Sequence, residues 1–389
     1  MKTNTLSIVH AARLLTMVPG QEPIRDAAIV HDGRFIVRVG AWSELGRGFS
    51  GPVLDLGQAT VCPGVVNAHA HLEMSHLKGK VARGLGFTAW IKSLITHEMY
   101  AMDQELTARL CREMRQDGTA LIGNISTRNA QPVAGILDDS GLFFVSFHEL
   151  IRFDPPAPEA EFVPAGEYEL GVLAAAGHAF YSTHPETLRR GKAANARRNR
   201  PFSLHLAENE EESRILMGEH IEFWDMLERA NISLHNFQPP RCTPTEYARQ
   251  LGLLDSGTLA VHCVTVNDAD IEILHRTGTN VCLCPRSNEY IGEGRAPWEK
   301  LLASGVNCCL GTDGLCSNDD LNVWNELLHL KAGLRADLDL EQGLALLTRN
   351  GATALGRADR LGSMEPGKAA RWSVVPDKVL QAFDCVGQP

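Results

Sequence analysis

Two histidines lie two residues apart at the end of an apolar segment, in the sequence PGVVNAHAH (63–71). On an extended strand, residues i and i+2 project to the same side, so the side chains of His69 and His71 can reach a common ion. Neutral imidazole is the commonest side-chain metal ligand in proteins. This spacing therefore indicates a metal-binding strand end, although an isolated pair of this kind also occurs as packed or exposed histidines.

Three further segments place a polar group at the end of an apolar strand. His205 lies in SLHLAE (203–208), His262 in AVHC (260–263) and Asp313 in LGTD (310–313). Together with the first pair they supply five metal-competent side chains. Packing alone is a poor explanation for the set, because burying so many polar groups without a ligand is costly.

The segments that carry these residues are short β-branched runs that alternate with longer segments of helical periodicity, which is typical of βα units. Eight such units over about 300 residues predict an α/β fold, a (β/α)8 TIM barrel whose active site lies at the C-terminal ends of the strands. A doubly wound sheet is the alternative, which is disfavoured because no GxGxxG follows the first strand. The predicted strands are 60–69, 119–126, 142–149, 171–179, 201–207, 258–264, 280–284 and 307–311. The predicted helices include 103–116, 185–198, 210–229, 268–276, 321–330 and 340–347.

The two chain ends are predicted to form short β strands and not βα units. Short strands separated by turns occupy the first 58 residues, with Asp32-Gly33 as a hairpin turn, and another short apolar strand is predicted at 371–375. We expect the ends to share a small composite β-sandwich domain. The predicted domains are residues 1–58 with 357–389, and a barrel of residues 59–356 that contains the predicted metal site.

The composition of the chain excludes some classes of binding partner. A formal net charge of −10 and a pI of about 5.8 argue against a nucleic-acid polymer as ligand and favour a small molecule. No segment is apolar enough to span a membrane, and His10 and Arg13 interrupt the N-terminal apolar residues, so we expect a cytoplasmic protein that does not bind membranes. The ten cysteines are scattered, which favours reduced core thiols over disulfides.

In order and spacing, six motifs resemble the amidohydrolase superfamily, in particular its branch of mononuclear-metal deaminases and chlorohydrolase-like enzymes. They are PGVVNAHAHLE (63–73), SLHLAE (203–208), VHC (261–263), CPRSN (284–288), LGTD (310–313) and GSMEPGK (362–368). The resemblance implies one divalent metal, Zn²⁺ or in some members Fe²⁺, and it suggests a homodimer. The implied metal ligands are His69, His71, His205 and Asp313. The implied catalytic groups are Glu208 and His262, with Asp313 also acting on protons.

The chemistry of these residues agrees with that assignment. Nitrogen ligands with one carboxylate and an open position form a catalytic metal site, which lowers the pKa of bound water to about 7. Asp313 can accept the water proton, Glu208 can protonate a ring nitrogen as hydroxide adds to the adjacent amidine carbon, and His262 can hydrogen-bond the resulting oxygen. Loss of the exocyclic amine then releases ammonia.

Other zinc chemistries fit less well. The His71-Leu72-Glu73 triplet matches the HxE of cytidine-type deaminases, but the accompanying PCxxC is absent. No lysine ends the second, third or fourth predicted strand, where binuclear relatives place a bridging carboxylated lysine, so a single metal is favoured. Glu208 favours deamination over dechlorination, because an amine leaving group needs a proton and chloride does not.

Substrate contacts are predicted in the loops and strand ends around this site. The resemblance suggests Glu73, His76, Trp90, His148, His178, Arg286, Ser287 and Asn288. Among them, Arg286 can pair with a carboxylate or hydroxyl of the substrate through its forked guanidinium.

The leading hypothesis is a hydrolase of non-peptide carbon–nitrogen bonds, a cyclic amidine deaminase acting on an aminated purine nucleoside or related heterocycle. The HLE after the first strand and the segment Gly86, Phe87 and Trp90 resemble aminodeoxyfutalosine deaminases, and the branch also contains adenosine and S-adenosylhomocysteine deaminases. The alternatives are hydrolysis of another C–N or a C–Cl bond, or a catalytically silent barrel. After GSMEPGK the chain continues Ala369-Ala370 where relatives usually have Ala-Asp, so the final β strands are expected to be abbreviated.

Overall fold

The computed structural model describes residues 5–229, 232, 237–333 and 338–384. The N-terminal region contributes five strands: β1 (Ser7–Leu14), β2 (Ile24–His31), β3 (Ile36–Ala41), β4 (Val53–Asp55) and β5 (Thr60–Pro63). Eight strands follow: β6 (Val65–Ala70), β7 (Thr119–Ser126), β8 (Phe143–Leu150), β9 (Gly171–Gly177), β10 (Phe202–Leu206), β11 (Thr258–His262), β12 (Asn280–Leu283) and β13 (Cys308–Leu310). The last strand is β14 (Trp372–Val374).

Strands β6 to β13 form one parallel sheet in sequence order, and its two edges meet. The backbone N–H of Asp313 donates to the carbonyl of His69 (3.0 Å). The side chain of Asn67 accepts from the N–H of Thr312 (3.1 Å) and donates to its hydroxyl (2.8 Å). These bonds join β6, the first strand of the barrel, to the loop that follows β13, its eighth strand. The predicted barrel is confirmed.

The first predicted strand, 60–69, proves to be two strands in different sheets. Its first half, β5, pairs with β1 and β14, and its second half, β6, opens the barrel. Gly64 separates them, and a Cβ at this position would lie 2.5 Å from that of Ala120. The prediction merged the two halves because an apolar run carries no mark of the sheet to which each part belongs.

Both chain ends build the second sheet, with strand order β14-β5-β1-β2-β3 and β4 beside β1. The C-terminal strand runs antiparallel to β5, with Trp372 opposite Pro63. This agrees with the expectation that the ends combine. We propose residues 1–58 with 357–389 as the extent of this domain, of which residues 385–389 lie outside the described part of the chain.

The helices mostly cover the outside of the barrel. They are α1 (Trp42–Leu45), α2 (Phe87–Leu94), α3 (Gln104–Gln116), α4 (Ala130–Asp139), α5 (Pro185–Ala196), α6 (Glu210–Met217), α7 (Glu222–Arg229), α8 (Pro244–Gln250), α9 (Asp268–Thr277), α10 (Pro285–Ile291), α11 (Trp298–Ala303), α12 (Val323–Gly333), α13 (Leu340–Leu347), α14 (Arg349–Ala354) and α15 (Asp377–Asp384). A 3-10 helix spans Leu72–Leu77. The single helix predicted at 210–229 is two helices, because Gly218 adopts a left-handed conformation (φ 90°) that ends α6.

The interior is apolar, and all nine cysteines within the described residues are free, eight of them buried. The tenth, Cys385, lies outside those residues. Across the segments that the structure describes, no helix combines the length and hydrophobicity that a bilayer crossing requires.

Candidate metal centre and active site

Five polar side chains from four barrel strands converge at one mouth of the barrel. His69 belongs to β6 and His71 follows it; His205 belongs to β10, His262 ends β11, and Asp313 follows β13. All five are buried, with at most 7% of their surface exposed. Parallel strands present their C-terminal ends at the same face of a barrel, which is why residues more than two hundred positions apart meet here.

The ligand atoms face one another. Asp313 Oδ1 lies 3.5 Å from the Nε2 atoms of both His69 and His71. The Nε2 atoms of His205 and His69 are 3.4 Å apart, and ligand atoms of these three histidines all lie within 4.8 Å of one another. Three imidazoles and a carboxylate form the donor set of a catalytic zinc site, so the residues fit a divalent metal ion.

The protonation states also suit a metal. Burial lowers the pKa of His71 to about 3 and that of His205 to well below its usual range. Burial alone would raise the pKa of Asp313, but the hydrogen bond from His69 and the favourable interaction of the carboxylate with the surrounding imidazoles hold it well below its usual range. The histidines are therefore neutral and the aspartate ionised near neutral pH, which are the forms that bind metals.

Two serines hold the other oxygen of Asp313. Ser287 Oγ donates to Asp313 Oδ2 (2.6 Å), and so does Ser317 Oγ (2.7 Å). Oδ1 is thereby left facing the histidines. Ser287 lies beside the metal cluster, and its predicted contact with substrate stays a prediction; Ser317 was not anticipated from the sequence.

The strand ends that carry these groups have unusual backbone conformations. His262 (φ 74°), Asp313 (φ 59°) and Ala207 (φ 50°), which precedes Glu208, all adopt the left-handed region. Each non-glycine residue in that region costs about 1–2 kcal/mol. Strained residues of this kind cluster at functional sites, where the surrounding structure holds them in place.

Gly311 allows the loop after β13 to lie close to β6, which brings Asp313 next to His69. A Cβ at this position would lie 2.8 Å from both the Cβ and the backbone nitrogen of His69. Any other residue would push the loop after β13 away from β6. The absence of a side chain at residue 311 is therefore required for the Asp313 carboxylate to reach the histidines.

Glu149 is a site residue that the sequence analysis missed. Its Oε1 atom lies 3.5 Å from His205 Nδ1, on the ring side opposite the metal cluster, and its Oε2 atom accepts from the hydroxyl of Thr127 (2.8 Å). Burial raises the pKa of Glu149 to about 8. A buried acid near the end of the apolar strand FFVSFHEL was the available signal, since charged residues are rarely buried without a partner.

Glu208 and His262 form a second polar pair beside the cluster. Glu208 Oε1 lies 3.5 Å from His262 Nε2, and His262 Nδ1 donates to Asn288 Oδ1 (2.9 Å). Burial raises the pKa of Glu208 well above its usual range and lowers that of His262. The pair therefore combines a protonated carboxyl group with a neutral imidazole whose Nε2 carries no proton.

A cavity of about 860 Å³ opens onto these groups. His71, His205, Glu208, His262 and Asp313 line one region of it. The predicted contacts Trp90, His148 and His178 also line it. Its apolar walls come largely from α2, α7 and nearby loops and include Phe87, Ile91, Leu94, Met99, Phe153, Phe162, Phe223, Met226 and Leu227. Such a cavity suits a small ligand that has apolar surface and a polar reacting end.

Five predicted substrate contacts are not among the residues that line this cavity, and Ser287, described above, is one of them. The carboxylate of Glu73 accepts from the backbone N–H groups of residues 127–129, so it holds the loop after β7. His76 Nε2 donates to the carbonyl of Glu98 (2.9 Å). Arg286 makes two bonds to Asp320 (2.9 and 3.0 Å). Their assignment to substrate binding stays a prediction, as does that of Asn288, which holds His262.

Comparisons with known proteins agree with this geometry. The amidohydrolase family profile matches residues 60–386. The curated 5-methylthioadenosine/S-adenosylhomocysteine deaminase of Nitratidesulfovibrio vulgaris Hildenborough is 30% identical over 341 residues, covering 82% of this chain and 71% of the relative. Aminofutalosine deaminase of Helicobacter pylori is structurally similar (TM-score 0.84, 22% identity, 97% and 96% coverage). So is a zinc-bound adenosine deaminase of Xanthomonas campestris (TM-score 0.79, 23% identity, 98% and 87% coverage). These two likenesses establish the fold.

Proposed function

The chain belongs to the amidohydrolase family, and on that premise we propose that it is a metal-dependent hydrolytic deaminase. Its substrate is an aminated purine nucleoside or related heterocycle, which it converts to the oxo product with release of ammonia. The observation that carries the proposal is the Glu208 carboxyl group. It is buried in the cavity beside the metal cluster, and its pKa is raised, so it retains a proton to deliver near neutral pH.

We assign the metal to His69, His71, His205 and Asp313, and we propose zinc as its identity. The donor set supports zinc, and the structurally similar enzyme of Xanthomonas campestris contains it. When bound, the ion would act as a Lewis acid that lowers the pKa of a water molecule. Iron is the competing identity, because imidazole and carboxylate ligands also suit Fe²⁺.

The protein's own groups then move the protons. Glu208 donates its proton to a ring nitrogen of the substrate, which makes the adjacent carbon that carries the amine more electrophilic. His262, held by Asn288 with its proton on Nδ1, presents a basic Nε2 that takes up a proton from the attacking water. Once protonated, it donates to the oxygen on that carbon. Asp313 is a second acceptor for the water protons. One of the two water protons passes to the amine, which leaves as ammonia, and the other restores the carboxyl proton of Glu208.

The apolar walls support a nucleoside-like substrate. Phe87, Trp90 and Phe223 offer aromatic surface near the polar end, and the cavity volume of about 860 Å³ is within the range for ligands of this size. Apolar walls also displace bulk water, so that proton transfer from Glu208 proceeds in a medium of low dielectric constant. The deaminase relatives named for methylthioadenosine and S-adenosylhomocysteine support the same substrate class.

The test is ammonia release by the zinc-loaded protein from a substrate panel. Methylthioadenosine, S-adenosylhomocysteine, adenosine, aminodeoxyfutalosine, guanine and an aminotriazine cover the deaminase hypotheses, and a chlorotriazine assayed for chloride covers the dechlorination alternative. We expect ammonia from at least one purine nucleoside. Ammonia from none of them would sink the proposal, and chloride release alone would replace it with the alternative.

We further propose that the enzyme is a homodimer, as the resemblance to the family suggests. Sedimentation velocity on the zinc-loaded protein gives the mass directly. A species of about 85 kDa, twice the 42.5 kDa of the chain, is expected, and a single species at the monomer mass at all concentrations would refute this assignment.

A further inference from the structure

Glu326 is a fully buried acid on α12 that does not line the cavity. We propose that Glu326 is a positioning residue for the metal centre, which fixes the Asp313 carboxylate by holding together the first turn of α10 and the loop after β13. This inference rests on the metal site proposed above. Nothing in the local sequence marks the residue, because an acid within an amphipathic helix ordinarily lies on the solvated face.

The first connection runs through the first turn of α10, which follows β12. Glu326 Oε2 accepts from the backbone N–H of Arg286 (3.1 Å), and the Arg286 guanidinium lies 3.5 Å from Oε1. The next residue, Ser287, donates its hydroxyl hydrogen to Asp313 Oδ2 (2.6 Å). Glu326 therefore fixes the backbone from which one of the two serines reaches Asp313.

The second connection runs through the loop after β13. Glu326 Oε1 accepts from the side-chain amide of Asn318 (2.9 Å), which also donates to the carbonyl of Thr312 (2.7 Å). Thr312 precedes Asp313, and Ser317, which precedes Asn318, donates to Asp313 Oδ2 (2.7 Å). Ser287 thus belongs to the first turn of α10 and Ser317 to the loop after β13, and Glu326 joins these two segments.

Each Glu326 oxygen accepts at least one N–H hydrogen bond, so an amide cannot replace the carboxylate. In a Glu326→Gln variant the side-chain NH₂ must face either the Arg286 N–H or the Asn318 amide, and one loop loses its acceptor. The substitution keeps the side-chain volume, so the core around α12 stays filled. The expected defect is a displaced Asp313 and a weaker metal site, not an unfolded protein.

The chain offers a matched control. Asp138 on α4 also accepts one backbone N–H on each oxygen, from Glu169 (3.1 Å) and Leu170 (2.8 Å). These two residues precede β9, at the end of the barrel opposite the metal cluster. Asp138→Asn therefore makes the same acid-to-amide change in a loop-holding carboxylate that has no connection to Asp313.

The experiment measures Zn²⁺ affinity by chelator competition on the metal-free wild type, Glu326→Gln and Asp138→Asn, with Tm and the visible spectrum of the Co²⁺-loaded proteins. We expect Glu326→Gln to weaken zinc binding about tenfold and to change the Co²⁺ spectrum, as loss of outer-sphere support does. Asp138→Asn is expected to lower Tm with zinc affinity within about twofold of wild type.

A lowered Tm with unchanged zinc affinity and Co²⁺ spectrum in Glu326→Gln would overturn the proposal, since the residue would then serve stability alone. If that variant does not fold, Asn318→Asp gives the second measurement. It leaves the Thr312 carbonyl without its donor and places two carboxylates together, so zinc affinity should fall in the same way. A wild type that binds neither metal would contradict the proposed metal site itself, and with it this inference.

Discussion

The carboxyl oxygen Oε1 of Glu208 lies 3.5 Å from Nε2 of His262, and both side chains line the cavity that contains the metal cluster. Burial acts on the two groups in opposite senses, because it disfavours the charged form of each: it raises the pKa of the acid and lowers that of the base. A protonated acid thus faces an unprotonated imidazole, an arrangement in which one group gives a proton and its neighbour takes one.

The first prediction concerns the acid. Glu208→Gln removes the transferable proton while keeping shape and hydrogen-bonding capacity, so kcat on the best substrate of the panel should fall about 10²- to 10⁴-fold. Zinc content, measured by atomic emission, should stay at the wild-type level because Glu208 is not among the assigned ligands. Glu210→Gln, at an exposed position two residues further on, is the control and should retain full activity. Wild-type kcat in Glu208→Gln would remove this residue from the mechanism.

The second prediction concerns the partner of His262. Asn288→Leu removes the acceptor that holds the proton on Nδ1, so a share of the molecules adopts the other tautomer and presents an N–H to the cavity. We expect kcat to fall about tenfold to a hundredfold with zinc content unchanged. Asn288→Asp retains an acceptor oxygen and should recover most of the activity. Equal kcat values in the wild type and the leucine variant would contradict this role.

The third prediction concerns support of a metal ligand. Glu149 lies against Nδ1 of His205, the ring nitrogen remote from the metal cluster, and such outer carboxylates typically contribute 10- to 100-fold to metal affinity. Glu149→Gln should therefore raise the Kd for Zn²⁺ at least about tenfold, measured by chelator competition. Glu161→Gln changes an exposed acid of the same cavity wall and should leave the Kd unaltered. Unchanged affinity in the Glu149 variant would count against a supporting role.

The fourth prediction concerns stability and pH. Burial raises the pKa of Glu212 to about 8, so this acid binds a proton more tightly in the folded chain than in the unfolded one. Its contribution to stability is present in full below pH about 4.5, declines as pH rises, and is lost above pH about 8.

Urea unfolding of the metal-free protein at pH 5, 7 and 9 measures this effect. The buried histidines, whose pKa values are lowered, change the stability in the opposite sense, so the effect of Glu212 is measured as the difference between the wild type and Glu212→Gln. From pH 5 to pH 9 this difference should move in favour of the variant, by an amount on the order of a few kcal/mol in unfolding free energy. Glu210→Gln should follow the wild type at every pH. A difference between the wild type and Glu212→Gln that does not change with pH would show that Glu212 ionises freely in the folded state.

Local sequence was enough to predict the barrel and the central cluster. A strand alternates its side chains with period two, so His-x-His at a strand end places both rings on one side whatever the rest of the fold does. His205, His262 and Asp313 were identified in the same way, as polar residues that end apolar strands. Parallel strands in a closed barrel leave their C-terminal ends at one face, so the eight-unit count was enough to predict that these residues meet.

The residues that hold the cluster could not be predicted in this way. The pairing of Arg286 with Asp320 was not predicted, and Glu149 and Glu326 were not identified at all. Each of these residues contacts a partner on another segment of the chain, at separations between 34 and 56 residues, and no spacing within one strand or helix encodes such a pairing.

The division of the first predicted strand at Gly64 could not be predicted for the same reason. Sequence by itself determined which side chains leave each strand and at which end, because backbone geometry repeats locally. Only the tertiary structure decided which strands pair across the closure of the barrel, which acids contact the histidines, and which polar residues hold loops in place. These choices depend on the closure of the barrel and on contacts between loops, which form only when the whole chain packs.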